Sequence, residues 1–456
     1  MTDHITHYLA TTHARHLAQL REFLSIPSIS ALSSHAPDVR RCAEWVVGAM
    51  RGAGLERARL IETAGNPVAY GEWMRAPGAP TVLVYGHYDV QPVDPLERWT
   101  SPPFAPTVRD GKLFARGATD DKGQLFAHLA AIEAHLRVTG RLPVNLRMVV
   151  EGEEEIGCAH VQALVRERAE LLAASVVVIS DTAMFARGVP SICRALRGIA
   201  YLEVEVRGAA TDLHSGSFGG TVANPALALA WMLGSMKDAS GRVTVPGFYD
   251  AARALGAEER AELARLPFDE ARYREALGAP ALVGEAGFTT LERAWTRPTL
   301  DVNGFHSGFA GEGVKTVIPS TAVAKVSMRL VPDQDPTAIG DLVERHLLEI
   351  APPGVEVRVT GRHGGRAYEA STGHPFMRAA ARAMERAFGV RPAFTREGGS
   401  NPIVSTFAEV LGAPVILFGL GLPDDNAHAP DEKIDLDQLR RGVVAVAELY
   451  GEIGGG

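Results

Sequence analysis

Four short apolar runs, rich in valine, isoleucine and leucine, limit most strongly how this chain can fold. They cover residues 81–85, 146–150, 176–179 and 414–418. Each run is bounded by polar or turn residues and has the length of one buried strand. Strands buried on both faces are typical of parallel sheets covered by helices. The runs therefore predict an α/β domain built on a mostly parallel sheet.

Helical patterns surround these runs at both ends of the chain. They cover residues 13–24, 39–53, 123–138, 375–388 and 436–450. Strands that alternate with helices favour a sheet with helices on both faces. We expect one catalytic domain that combines residues 1–194 with residues 366–456.

The middle of the chain has a different pattern. Residues 201–207, 322–330 and 355–359 alternate apolar with polar side chains, as half-buried antiparallel strands do. Two helices lie among them, each beginning with a cap and a proline, Asn224-Pro225 and Asp335-Pro336. This order predicts an inserted α+β domain at 195–365, a split βαβ (ferredoxin-like) lid or dimerisation domain. Residues from about 240 to 300 are expected to be irregular.

Acidic and histidine residues follow the predicted parallel strands, at the ends where open α/β sheets place their sites. They are His87, Asp89, Asp120, Asp121, Glu153, Glu154, Glu155, Asp181 and His428. Taken singly, such residues are usually structural histidines, helix caps or solvated loops. Gathered at one edge, however, the carboxylates would repel one another, and divalent cations would relieve that repulsion.

The residue types suit a pair of metal ions. Imidazole and carboxylate without thiolate fit Zn²⁺, Mn²⁺ or Co²⁺. A two-ion site requires a bridging carboxylate, with a histidine and a carboxylate on each ion. The candidates are Asp120 as the bridge, His87 with Asp181, His428 with Glu155, and Asp89 as the residue that orients His87. The residues alone leave this pairing open.

Several longer motifs occur in a fixed order along the chain. They include GHYDVQPVDPLERWTSPPF (86–104), LFARGATDDKGQ (113–124), EGEEEIG (151–157), DLHSGSFGG (212–220), KTVIPS (315–320), MRLVPDQ (328–334), REGGSNPI (396–403) and DDNAHAPDEKI (424–434). These motifs resemble the metallopeptidase family that contains carnosine dipeptidase, aminoacylase and glutamate carboxypeptidase, with the cytosolic non-specific dipeptidase branch most similar. The resemblance spans essentially the whole chain. It implies hydrolysis of dipeptides by a water between two divalent ions, zinc first, with manganese or cobalt as alternatives.

The resemblance also implies roles around the metal ions. Glu154 matches the general base and Glu155 a metal ligand, with Asp120 as the bridge. The three consecutive glutamates blur this assignment by one position, so Glu153 remains a minor contender. The peptide between Asp120 and Asp121 is expected to be cis.

Four further residues match substrate contacts of the family. They are His214, Thr316, Arg329 and Ser400. Arg329 suits the substrate carboxylate, which a guanidinium binds through two hydrogen bonds. His214 matches a histidine that acts in the site of the partner subunit, which implies a homodimer through the inserted domain.

The composition indicates which partners and which cellular compartment to expect. The formal charge of −8 argues against nucleic acid or anionic membrane as a partner. The three cysteines, Cys42, Cys158 and Cys193, are too few and too widely spaced for a disulfide framework, which favours a reducing, cytoplasmic location. The first residues lack the pattern of a secretory signal, and no apolar run reaches the roughly 18 residues of a membrane span.

Other chemistries are poorly supported. The chain has no G-x-S-x-G, no HExxH and no phosphate-binding loop. The main alternative lies in the same family, an N-acyl-amino-acid amidohydrolase or carboxypeptidase with an identical metal centre. The DDKG segment at 120–123 and the long insert favour the dipeptidase. A non-catalytic binding protein on this scaffold would lack a ligand or the base, whereas every such position is filled.

Overall fold

The first part of the chain contains both helices and strands. The computed structural model describes residues 2–455. Its elements in this part are α1 (Thr2–Leu24), α2 (Ala36–Ala53), β1 (Glu56–Ile61), β2 (Val68–Trp73), β3 (Thr81–His87), β4 (Thr107–Arg109), β5 (Lys112–Phe114), α3 (Lys122–Thr139), β6 (Asn145–Glu151), α4 (Ala159–Glu167), α5 (Ala169–Leu172), β7 (Val176–Ile179) and β8 (Ser191–Leu196). A short 3₁₀ turn, Glu154–Ile156, follows β6.

The middle part is richer in antiparallel strands. It contains β9 (Gly198–Arg207), β10 (Leu213–His214), α6 (Ser215–Phe218), α7 (Pro225–Ser235), α8 (Ala257–Ala264), α9 (Glu270–Leu277), α10 (Thr290–Thr296), β11 (Thr299–Ser307), β12 (Val317–Ile318), β13 (Thr321–Leu330), α11 (Pro336–Ile350), β14 (Glu356–Gly365) and β15 (Tyr368–Glu369). The chain then continues through α12 (Pro375–Phe388), β16 (Ala393–Glu397), α13 (Pro402–Leu411), β17 (Val415–Leu417), β18 (Lys433–Asp435) and α14 (Leu436–Ile453).

These elements divide into two units. The α/β unit comprises the chain up to Arg194, Ala370–Thr395 and the residues from Thr406 onward. The inserted unit comprises Ala195–Glu369 and a second short segment, Arg396–Ser405. The second segment carries Ser400, one of the residues matched to substrate contacts.

The α/β unit is organised around a sheet in which β6, β3, β7 and β17 run parallel as neighbours. On one side β2 and β1 extend this sheet in antiparallel pairing. The strand β7 is buried along its whole length and β3 along almost all of it, since apolar side chains point to both faces. The residues Lys122–His135 of α3 are also buried, as expected for a helix packed on several sides.

The inserted unit contains a four-stranded antiparallel sheet in the order β11-β13-β9-β14. Alternate residues of β9, including Leu202, Val204 and Val206, enter a core shared with Leu229 of α7 and Val343 of α11. The helices begin as predicted, because the Asn224 and Asp335 side chains accept hydrogen bonds from the first turns of α7 and α11. The strand order is that of a split βαβ fold. Both predicted fold classes are confirmed.

Some elements differ from the sequence-based expectation. The stretch from about 240 to 300 is not wholly irregular, since it contains the short helices α8, α9 and α10. The strands β1 and β2 were not predicted, because their charged residues interrupt the apolar pattern that marks the other strands. Within residues 2–455, no helix combines the length and the apolar character that a bilayer crossing requires.

Candidate metal centre

The candidate ligands of the α/β unit lie at the carboxyl ends of its parallel strands. His87 is the last residue of β3, and Asp181 stands just after the neighbouring strand β7. Glu155 lies in the 3₁₀ turn after β6, and Asp120 lies directly before α3. His428 belongs to the loop after β17. Because these strands are parallel neighbours, their carboxyl ends meet at one edge of the sheet.

One group of possible ligands consists of His87, which is buried, and Asp120 and Asp181, which are partly buried. Nε2 of His87 is 3.1 Å from an Asp120 oxygen and 3.7 Å from an Asp181 oxygen. Burial lowers the pKa of His87, but its contacts with the surrounding carboxylates raise that pKa well above the ordinary value. Burial and nearby carboxylates raise the pKa of Asp181 to about 6.

A second group shares Asp120 and adds Glu155 and His428. Nε2 of His428 is 2.8 Å from the other Asp120 oxygen and 3.1 Å from Glu155. Hydrogen bonds from His428 to the Asp120 and Glu155 carboxylates raise the pKa of His428 to about 10. The His428 side chain is 55% exposed, whereas the His87 side chain has no exposure. The second group is therefore open to solvent at its histidine, whereas the histidine of the first group is enclosed.

Asp120 lies between the two histidines. Its two carboxylate oxygens contact different rings, Oδ1 that of His87 and Oδ2 that of His428. Burial raises the pKa of Asp120, but hydrogen bonds with the two histidines hold it below the ordinary value. The peptide bond between Asp120 and Asp121 is cis, as expected from the sequence.

The donor set and its spacing fit divalent cations. Ligand atoms about 2.1 Å from a tetrahedral ion lie about 3.4 Å from one another. The four measured separations between donor atoms range from 2.8 to 3.7 Å. Each group offers imidazole nitrogen and carboxylate oxygen, which suit zinc, manganese and cobalt. One carboxylate common to both groups is the arrangement that two adjacent cations require.

The three consecutive glutamates have different surroundings. Glu153 accepts hydrogen bonds from the Asn66 backbone at 2.9 Å and contacts His160 Nδ1 at 2.7 Å. Glu154 instead has the metal-site carboxylates as its electrostatic neighbours. Burial and those carboxylates raise the pKa of Glu154 to about 9, against the opposing effect of His87. Glu154 is thus the glutamate of the triplet whose pKa is perturbed by the candidate ligands, as that of a functional carboxyl often is.

Asp89 contacts both His87 and the glutamate turn. Nδ1 of His87 is 3.1 Å from the Asp89 carbonyl oxygen and 3.4 Å from its carboxylate. The Asp89 carboxylate accepts hydrogen bonds from Ser30 Oγ at 2.6 Å and from the backbone N–H groups of Glu154 and Glu155 at 3.3 and 3.2 Å. Asp89 therefore orients the histidine partly through its backbone, while its side chain holds the turn.

Sequence reasoning assigned no role at the centre to Gln91, Asp121 or Glu432. Gln91 donates from Nε2 to Glu155 at 2.7 Å, and Asp121 accepts a hydrogen bond from the His87 backbone N–H at 3.2 Å. Glu432 is fully buried and contacts the backbone N–H of Asp120 at 3.1 Å. The only available signal was their position inside the quoted motifs, because nothing local distinguishes them from surface polar residues.

In the inserted unit, the structure brings Arg329 and Ser400 together. Nη1 of Arg329 donates to Ser400 Oγ at 2.9 Å. Arg197 lies near this pair, and its Nε donates to the Gly398 carbonyl oxygen at 3.0 Å. Burial and the charge of Arg329 lower the pKa of Arg197 to about 10, and burial lowers the pKa of Arg329. The two positively charged guanidinium groups repel each other, so their surroundings are favourable for an anion.

His214 and Thr316 form a second pair in the inserted unit. His214 pairs with Val317 between β10 and β12, and the next N–H donates to the Thr316 carbonyl oxygen at 3.1 Å. Nδ1 of His214 accepts hydrogen bonds from the Gly216 and Ser217 backbones at 3.0 and 3.3 Å. A neutral His214 therefore carries its proton on Nε2. Both side chains are exposed.

Comparisons with known proteins agree with this geometry. Residues 83–452 match peptidase family M20/M25/M40. The Cys-Gly metallodipeptidase dug1 of Schizosaccharomyces pombe is 34% identical over 442 residues, which cover 94% of this chain and 93% of that protein.

Solved structures give the same result. The structure of human carnosine dipeptidase 1 aligns with a TM-score of 0.83 and 30% identity, and covers 100% of this chain and 99% of that chain. A metallo-carboxypeptidase, Sso-CP2 of Sulfolobus solfataricus, aligns with a TM-score of 0.84 and 32% identity over 97% of this chain and 99% of that one. The chain belongs to peptidase family M20/M25/M40.

Proposed function

We propose that this protein is a metal-dependent dipeptidase whose two cations are held in the α/β unit. The observation that carries the proposal is the pair of donor groups that share Asp120, with Glu154 among their electrostatic neighbours. A relative that spans nearly the whole chain is a dipeptidase, and a similar solved structure is a carnosine dipeptidase.

The proposed ligands follow the two donor groups. His87 and Asp181 would hold one ion, His428 and Glu155 would hold the other, and Asp120, which belongs to both groups, would be their shared ligand. Nitrogen and oxygen donors without thiolate support zinc first, with manganese or cobalt as alternatives. When bound, the two cations supply Lewis acidity that activates a water molecule and polarises the substrate carbonyl.

Glu154 is the proposed general base. Its carboxylate accepts a proton from the attacking water and returns that proton to the amine that leaves. Without cations, burial and the neighbouring carboxylates raise the pKa of Glu154 to about 9. Cations bound beside it would offset that repulsion and lower its pKa towards the range in which a general base works. The hydrogen bonds from the turn to Asp89 keep Glu154 and the ligand Glu155 in a fixed relation.

The inserted unit is proposed to recognise the substrate. Arg329 and Ser400 bind the substrate carboxylate, supported by their 2.9 Å hydrogen bond and by the second guanidinium of Arg197. Thr316 is proposed to hold the same end of the substrate. His214 stabilises the negative oxygen that forms during attack, for which its Nε2–H is available as a donor.

We also propose that His214 acts in the site of a partner subunit, in a homodimer formed by the inserted unit. Exposed apolar side chains support such an interface, namely Leu227 and Trp231 on α7 and Val302 and Phe305 on β11. The strand β11 is an edge strand of its sheet, so one side of it is available for an additional partner.

A mixing experiment tests this arrangement. His214→Ala and Glu154→Gln are each expected to be inactive, and mixed dimers should recover about a quarter of the activity, since half are mixed with one complete site each. The control mixes Glu154→Gln with Asp120→Ala, whose defects fall in the same site, and no recovery is expected. Failure of the first mixture to recover would remove the shared site.

The alternative activity is that of an N-acyl-amino-acid amidohydrolase or a carboxypeptidase. The similarity to the Sulfolobus metallo-carboxypeptidase supports this alternative. Both alternatives use the same metal centre, and they differ from a dipeptidase in how the amino end of the substrate is recognised.

A substrate panel distinguishes these activities. The protein is stripped with a chelator, reloaded with Zn²⁺, Mn²⁺ or Co²⁺, and assayed with dipeptides, N-acyl amino acids and longer peptides. Dipeptides should be cleaved fastest. Preference for N-acyl amino acids or for longer peptides would favour the alternative, and full activity after stripping would contradict the metal mechanism.

The proposed location is the cytoplasm. All three cysteines lie in the described part of the chain, are buried and form no disulfide there. This supports a reducing compartment. Cell fractionation with a soluble cytoplasmic marker tests the location.

A further inference from the structure

Glu432 lies beside the candidate metal ligands but is not one of them. It is fully buried. Its Oε2 accepts hydrogen bonds from Arg116 Nη1 at 2.7 Å and from the Gly117 N–H at 3.0 Å. Its Oε1 accepts from the backbone N–H groups of Thr119 and Asp120 at 2.9 and 3.1 Å. Both oxygens thus bind the segment that ends at the shared ligand Asp120.

Arg116 extends this contact to a third segment. It is also buried, and its Nη2 donates to the Pro92 carbonyl oxygen at 3.0 Å. Pro92 belongs to the loop that begins after the ligand His87, and Glu432 follows the ligand His428 by a few residues. The Arg116–Glu432 pair therefore joins the three segments that carry His87, Asp120 and His428.

A second contact joins the segment before Asp120 to the loop that carries His428. Thr119 Oγ1 donates to a carboxylate oxygen of the buried residue Asp425 at 3.0 Å. Asp425 also pairs with Lys433 at 2.6 Å. The backbone immediately before Asp120 is therefore held through both its N–H groups and a side chain.

This fixed backbone has a direct consequence for Asp120. One of its oxygens contacts the His87 ring and the other the His428 ring, at 3.1 and 2.8 Å. Because the carboxylate is attached to this backbone, a change in the backbone orientation would move both oxygens relative to the two rings. A buried charge pair does not by itself indicate that the fold is stabilised. The position of the Arg116–Glu432 pair among the three ligand segments therefore needs another explanation.

We propose that Glu432 is a positioning residue of the metal centre. By binding the N–H groups of Thr119 and Asp120, it sets the direction of the Asp120 carboxylate and so raises the affinity for both cations. Outer residues that hold metal ligands commonly contribute about 10- to 100-fold to metal affinity. The inference rests on the metal centre of the proposed function but not on its peptidase activity.

The test is Glu432→Gln, which keeps the size of the side chain. An amide has one accepting oxygen, and its NH₂ group faces N–H donors that the carboxylate had bound. The stripped variant is titrated with Zn²⁺ against a chromophoric chelator, and its Co²⁺ absorption spectrum is recorded. Both ions should bind about 10- to 100-fold more weakly, with an altered Co²⁺ spectrum.

Glu133→Gln is the matched control. Glu133 is a buried carboxylate of α3 that accepts hydrogen bonds from Tyr8 at 2.6 Å and from Arg15 Nη1 at 3.1 Å. It is paired with an arginine, as Glu432 is, but contacts no candidate ligand segment. This variant should lose thermal stability while its affinity for both ions stays within about twofold, as expected for independent sites.

Two results would overturn the proposal. One is unchanged affinity for both ions in Glu432→Gln, and the other is an equal loss in Glu133→Gln, which would indicate general destabilisation. If Glu432→Gln does not fold, Arg116→Lys is titrated instead. The single ammonium of lysine cannot replace the guanidinium, which donates to Glu432 and to the Pro92 carbonyl at the same time. Weaker binding of both ions would support the proposal, and unchanged binding would overturn it. A protein that binds both ions tightly but cleaves no dipeptide would contradict the proposed function alone.

Discussion

The two units each collect like charges, but of opposite sign. In the α/β unit, burial and mutual repulsion raise the pKa of Asp181 to about 6 and that of Glu154 to about 9. In the inserted unit, burial and repulsion lower the pKa of Arg197 to about 10, and burial lowers that of Arg329.

The difference between these clusters lies in how each can be neutralised. A carboxylate whose pKa is raised can take up a proton near neutral pH. The acidic cluster of the α/β unit can therefore be neutralised either by protons or by metal cations. A guanidinium keeps its charge at any ordinary pH, so the basic cluster depends on an anion. The acidic cluster should therefore respond to metal and pH, and the basic cluster to the carboxylate of the substrate.

The largest effect is expected for Asp120→Ala, which removes the carboxylate common to both donor groups. Both ions should be lost, and turnover should fall about 10⁴-fold, because the ions contribute several kcal/mol at about 1.36 kcal/mol per tenfold. Metal content is measured by elemental analysis alongside activity. The exposed residue Asp437 provides the control, Asp437→Ala, with normal metal content. Full retention of one ion with normal activity would contradict the bridging role.

Glu154→Gln should separate catalysis from metal binding within the acidic cluster. Turnover should fall by about 10²- to 10⁴-fold, the usual contribution of a general base. Metal content should remain near normal, because Glu154 is not among the proposed ligands. Elemental analysis and kcat measure the two effects. Loss of both ions would instead indicate that Glu154 is a ligand and Glu155 the base.

Arg329→Met tests the basic cluster. For dipeptides with a free carboxylate, KM should rise about 10- to 100-fold, because a hydrogen bond to a charged group contributes about 1.5–3 kcal/mol. For the same dipeptides with an amidated C-terminus, KM should hardly change. An equal effect on both substrates would show that Arg329 acts on the structure and not on the carboxylate.

The last effect, at most about tenfold for each pH unit and each proton released, concerns the pH dependence of metal binding. In the metal-free protein, His428 has a pKa raised to about 10, so a cation must displace its proton at neutral pH. Metal affinity should therefore rise with pH, by up to about tenfold per unit for each proton released, between pH 6.5 and 8.5. Chelator competition at three pH values measures this slope. As a control, inhibition by a carboxylate that binds the basic cluster should not change over the same pH range. A metal affinity that does not change with pH would contradict the proposal that protons and cations compete for the acidic cluster.

Much of the fold was predictable because its signals are local. The strand β7 and the helix α12 match the predicted ranges, since each is bounded by clear turn residues and has a regular apolar pattern. In contrast, β1 and β2 carry charged residues among the apolar ones, and their burial depends on neighbouring strands. The short helices α8 to α10 have little apolar periodicity of their own.

The sequence by itself determined the fold class and the family, because strand patterns and ordered motifs are local. It also determined the candidate metal-binding residues, because they lie in those motifs or close to recognisable strands. The tertiary structure alone decided that Glu155 joins the donor atoms while Glu153 contacts Asn66 and His160, and which histidine lies beside Asp181 or Glu155. It also revealed the contact between Glu432 and the Asp120 backbone, which are 312 residues apart. Such contacts depend on how distant segments meet in space, and no local pattern of side chains records that.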